Sequence, residues 1–81
     1  MLTATQIRAA RALLGWSQPA LAKASGVSLP TIVRMEGEAG RGRSAAANVD
    51  AVQRALEGAG VLFIPADGAS GAGPGVRLKE G

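Results

Sequence analysis

The stretch from Ser17 to Glu36, SQPALAKASGVSLPTIVRME, constrains the fold of this chain more than any other. Ser17 can cap a helix, because its hydroxyl can accept a backbone N–H that the first turn leaves orphaned. Pro19 falls in that first turn, where a missing N–H does little harm. Leu21, Ala22 and Ala24 supply an apolar face. Gly26 stops the helix, since glycine takes the left-handed conformation at little cost. Val27 can plug a core at the bend, and Ser28 is a second N-cap whose hydroxyl would accept a backbone N–H of the next helix, with Pro30 again in the first turn. Ile32 and Met35, three residues apart, share a face of that helix, and Gly37 marks its end.

Two short helices around a brief glycine-containing turn are the helix-turn-helix signature. Gln18, Leu21, Ala22, Gly26, Val27, Ser28, Ile32 and Glu36 also match a known pattern in type and spacing. On these residues the chain resembles the phage-repressor (Cro/CI, XRE-like) helix-turn-helix family, from about Ile7 to Leu56. The resemblance implies a mainly α, four-to-five-helix, lambda-repressor-like DNA-binding domain.

The flanking sequence completes that picture. A first helix is predicted from about Thr5 to Leu14, capped by Thr3 or Thr5, with Ile7, Ala10 and Leu14 as its apolar stripe and Gly15 as its stop. Trp16 follows at a corner, where packing is its expected role and its indole N–H would meet a backbone carbonyl. Gly37 to Ser44 reads as a glycine- and charge-rich loop. A further helix is predicted from Ala46 or Asn48 to Glu57, with Val49, Val52 and Leu56 on one face. Val61–Ile64 is β-branched and aromatic, hence strand-like, and Val76–Lys79 alternates apolar and basic residues. The Gly/Ala-rich segment between them has little to order it. The chain thus divides into a helix-turn-helix domain, 1–60, and a two-stranded C-terminal β-hairpin tail, 61–81. A short hairpin is marginal alone. It must pack on the helices or pair with a second chain, and strand addition across a two-fold axis would make the tail a dimerisation element.

Charge is placed unevenly. The net charge is +3, but residues 1–43 hold Arg8, Arg11, Lys23, Arg34, Arg41 and Arg43 against Glu36 and Glu38, a balance of +4. The positive end coincides with the helix-turn-helix, as a phosphate-facing surface requires. The chain has 81 residues, enough for one small domain with a modest core, and neither Cys nor His. Without Cys, His or Tyr the commonest nucleophiles, bases and zinc ligands are missing. No enzyme, cofactor or metal site is expected. No apolar run is long enough to span a membrane. Arg8 and polar neighbours occupy the N-terminal stretch where a signal peptide would be apolar, so a cytoplasmic location is expected.

The resemblance places base-contacting side chains at Leu29, Pro30 and Arg34 on the second helix of the motif. Arg34 can bond guanine O6 and N7 together, whereas Leu29 and Pro30 carry no donors and could read only thymine methyls or shape. Ser28 and Thr31 are candidates for phosphate or base-edge contacts. Gln18 would bond a phosphate, and Arg41 and Arg43 would neutralise the flanking backbone. Arg11 and Glu36 would form a structural salt bridge between the first helix and the end of the reading helix.

The function this implies is a sequence-specific transcriptional regulator, a repressor, binding a palindromic operator in double-stranded DNA as a homodimer. Two alternatives stay open. One is the antitoxin of a toxin–antitoxin pair, with the toxin bound by the tail. The other is a protein-binding adaptor that uses the Leu29-Pro30 tip.

Overall fold

The computed structural model describes residues 2–37 and 45–80. In these the chain forms four helices, α1 (Ala4–Leu14), α2 (Gln18–Ser25), α3 (Leu29–Glu36) and α4 (Ala46–Gly58), followed by strands β1 (Val61–Ile64) and β2 (Gly75–Leu78).

The helix starts are set by short polar side chains. Thr3 Oγ1 accepts the N–H of Gln6 at 3.0 Å, and Gln6 Oε1 accepts the N–H of Thr3 at 2.9 Å. This reciprocal box satisfies two donors that a helix start leaves open. α2 is capped by Ser17, whose Oγ accepts from the N–H of Ala20 at 3.1 Å. α1 and α2 both end on a left-handed glycine, Gly15 at φ 69° and Gly26 at φ 76°.

The start of α3 differs from its sequence reading. Ser28 has the extended backbone of a cap, but its hydroxyl bonds no backbone N–H. It donates instead to Thr31 Oγ1 at 2.8 Å. Pro30, the second residue of the helix, has no N–H to offer, and the Ser28 side chain is turned to the Thr31 hydroxyl rather than to the Thr31 amide.

The helices enclose one core. Ile7 and Ala10 of α1, Leu21 of α2, Ile32 and Met35 of α3, and Val49, Val52 and Leu56 of α4 are buried together, with Val27 closing the bend of the motif. The predicted apolar stripes of α1, α3 and α4 bury, with Leu14 only partly covered; of the face predicted for α2, Leu21 is buried and Ala22 half-buried, whereas Ala24 is exposed. Trp16 packs half-buried against this core. No helix among the described residues is long and apolar enough to cross a membrane.

The hairpin forms within one chain. β1 and β2 pair antiparallel, with Val61 opposite Leu78, Leu62 opposite Arg77, Phe63 opposite Val76 and Ile64 opposite Gly75. Val61 is fully buried in the helical core, and Phe63 and Val76 pack on it from the same sheet face. Leu78 shares that face but overhangs the core and is 45% exposed. β2 therefore starts one residue earlier than its alternating pattern suggests, and its second apolar position stays outside. Gln6 Nε2 reaches from α1 to the carbonyl of Gly75 at 3.1 Å, tying β2 to the first helix.

The connection between the strands has more order than its composition implies. The Asp67 N–H donates to the Ala72 carbonyl at 2.8 Å. The Asp67 carboxylate accepts from the Ala69 N–H at 3.0 Å and from the Ser70 hydroxyl at 2.9 Å. Aspartate closes such turns by bonding its own backbone two residues on. These bonds, the Ser70 hydroxyl foremost, hold the Asp67 carboxyl below its ordinary pKa.

Candidate nucleic-acid interface

α3 is a two-sided helix. Ile32, Met35 and Glu36 are buried, while Leu29, Pro30, Val33 and Arg34 are exposed. The exposed residues form two neighbouring rows at i, i+4 spacing, Pro30–Arg34 and Leu29–Val33. The first helix of the motif, α2, crosses behind it through Leu21, leaving Lys23 exposed.

The pose of α3 is held at its C-terminal end by Glu36. Its side chain is 3% exposed, and burying a carboxylate is costly unless it is paired and hydrogen-bonded. Arg11 of α1 supplies the pair. Arg11 Nε donates to Oε2 at 2.6 Å and Nη2 to Oε1 at 2.7 Å, a two-pronged contact that fixes orientation as well as charge. The Glu36 carboxylate raises the Arg11 pKa above its ordinary value, chiefly by this hydrogen bond, against a smaller lowering by burial. The third prong of the guanidinium, Nη1, donates to the Trp16 carbonyl at 3.0 Å. The polar partner at this corner is thus the Trp16 backbone.

Two further side chains converge on the same residue. Gln18 Nε2, at the start of α2, donates to Glu36 Oε1 at 3.2 Å. Arg8 Nη1 donates to the Glu36 backbone carbonyl, so a cation meets the negative end of the α3 dipole. α1, the start of α2 and the end of α3 are therefore locked at one buried carboxylate. Arg8 was not singled out by sequence reasoning, although it lies one helical turn before Arg11. Val33 was missed too, although it follows Leu29 by four positions.

The other residues named from the sequence are distributed as follows. Leu29, Pro30 and Arg34 lie together on the exposed side of α3. Thr31 is half-buried and engaged with Ser28. Gln18 is half-buried and faces the Glu36 cluster. Arg41 and Arg43 lie outside the described residues.

The geometry meets an independent comparison here. The helix-turn-helix family model matches residues 7–37, from the middle of α1 to the end of α3. Residues 7–37 are therefore similar to an XRE-type helix-turn-helix. The match spans fewer than half of the 81 residues and contains α2, α3 and the Arg11–Glu36 pair. The XRE-type motif supports a DNA-binding transcription regulator. No curated protein matches the chain.

Proposed function

We propose that the protein is a sequence-specific repressor that binds a palindromic operator as a homodimer, with α3 of the XRE-type motif in the major groove. The observation that carries this reading is the two-sidedness of α3. One side is buried and locked to α1 through Glu36, and the other presents an exposed face containing Arg34. A rigidly held helix of this kind can place side chains against base edges reproducibly.

In this reading Arg34 bonds a guanine, and Pro30 and Leu29 lie over neighbouring bases. Gln18 keeps one amide N–H on Glu36, and an amide carries a second that can reach a phosphate. Thr31 and Ser28 are secondary phosphate contacts, and Arg41 and Arg43 neutralise the flanking backbone. Two copies related by a two-fold axis would read half-sites about one helical turn, ~34 Å, apart. We assign the contact between copies to the hairpin, whose Leu62 and Leu78 are 40% and 45% exposed. A cytoplasmic location accords with this role.

The test is selection of bound duplexes from a random DNA library at about physiological salt, with Arg34→Ala in parallel. The expected result is an enriched palindrome that Arg34→Ala degrades at one guanine position, by about 1–3 kcal/mol of discrimination. Absence of enrichment, or enrichment indifferent to Arg34, overturns the reading.

A further inference from the structure

The row Leu29–Val33 is the part of α3 that a guanine contact leaves unexplained. Both side chains are apolar, one helical turn apart, and 39% and 49% exposed. Exposed apolar side chains are ordinary when scattered singly. These two are adjacent on a helix of eight residues, and the next row carries Arg34. Neither belongs to the core, and neither carries a donor or an acceptor.

The major groove offers one apolar feature, the C5-methyl group of thymine. The charge around the row selects for a polyanion that bears such groups. Arg34 and Lys23 are exposed on the motif, and residues 1–43 carry a positive balance. The geometry points to Leu29 and Val33 as a methyl-reading row, which requires thymine next to the guanine that Arg34 reads. This rests on the reading of α3 as a major-groove helix and adds to it the base class that the apolar row selects. Val33 becomes a specificity-determining residue of the interface. A cytosine at the same place lacks the C5-methyl group and so offers the apolar row no contact to make.

The experiment uses the full chain and the operator it selects. Thymines flanking the Arg34-dependent guanine are replaced one at a time by deoxyuridine, which removes the methyl group and leaves base pairing unchanged. Binding is measured at fixed salt for the wild type and for Val33→Ala. Val33→Thr, of nearly the same shape, serves as a second variant, and circular dichroism verifies that both fold. The expected result is a loss of about fourfold per methyl for the wild type, the worth of one buried carbon group. Val33→Ala weakens the thymine operator by a similar factor and then becomes indifferent to deoxyuridine at one position. An Arg34-dependent operator that lacks thymine there, or that binds equally well with deoxyuridine, overturns the methyl reading and leaves the major-groove reading standing. Failure to select any operator overturns both.

Discussion

Glu36 is the residue on which the geometry of α3 depends. Arg11, Gln18 and Arg8 all donate to it, to the carboxylate in the first two cases and to the carbonyl in the third. Removing one partner of a buried pair leaves an uncompensated charge, at a cost of about 3–5 kcal/mol. The Arg11 side chain retains 19% of its exposure, which places Arg11→Ala near the lower end, at about 3 kcal/mol. A urea melt should show the lost stability, and DNA binding should fall with the folded fraction. A fully stable Arg11→Ala that no longer binds DNA would instead make Arg11 a phosphate contact. Arg11→Lys should not restore the loss, because a lysine ammonium cannot reproduce the two-pronged geometry.

The two serines that open α2 and α3 look alike in sequence and differ as elements. Ser17 accepts a backbone N–H, whereas the Ser28 hydroxyl is turned to Thr31. Ser17→Ala should therefore cost about 1 kcal/mol, the usual worth of a cap, and lower the melting temperature. Ser28→Ala should leave the melting temperature nearly unchanged, and an equal loss for both would contradict the assignment of caps. The Asp67 turn gives the second prediction at this scale. Its carboxyl pKa is lowered in the folded chain, so the ionised form is the one that holds the turn. That contribution is present above the ordinary pKa of the group and is lost as pH falls through the lowered folded value. Amide exchange at Ala69 should quicken as acidification crosses that value, while amides in α1 stay protected. Exchange at Ala69 that ignores pH after correction for its intrinsic rate would exclude this role.

At the scale of the whole molecule the hairpin's part in the core is separable from the contact between copies proposed for it. Its inner face completes the core through Val61, Phe63 and Val76, and Gln6 bonds the Gly75 carbonyl. Its outer side carries Leu62 opposite Arg77. Ending the chain after Gly60 would expose the core around Leu56, so the shortened protein should lose its cooperative thermal transition. A surface substitution is the better probe of assembly. Leu62→Asp should leave the fold intact and shift sedimentation from dimer to monomer, and an unchanged dimer would remove the hairpin from the proposed contact.

Much of this architecture was legible in the sequence because it is local. Helical period, a capping threonine or serine and a following glycine specify α1 and α2 within a dozen residues, with no reference to the rest of the chain. The same local logic located α3, α4 and the first strand. It mistook the Ser28 hydroxyl, which turns to a neighbouring side chain instead of a backbone N–H, and it left the Asp67 turn unread among glycines and alanines. Apart from the Arg11–Glu36 pair, which the family resemblance implied, long-range contacts lay beyond it. Pairing of Leu62 with Arg77 inside one chain joins residues far apart in sequence, and nothing nearby specifies it. The convergence of Arg8 and Gln18 on Glu36 likewise exists only once three helices cross. The residue types of a helix-turn-helix were therefore settled by sequence alone, because periodicity and capping act over a single turn. Tertiary packing decided which polar groups meet and which apolar side chains, Leu29 and Val33 among them, remain outside, because burial is a property of the assembled core.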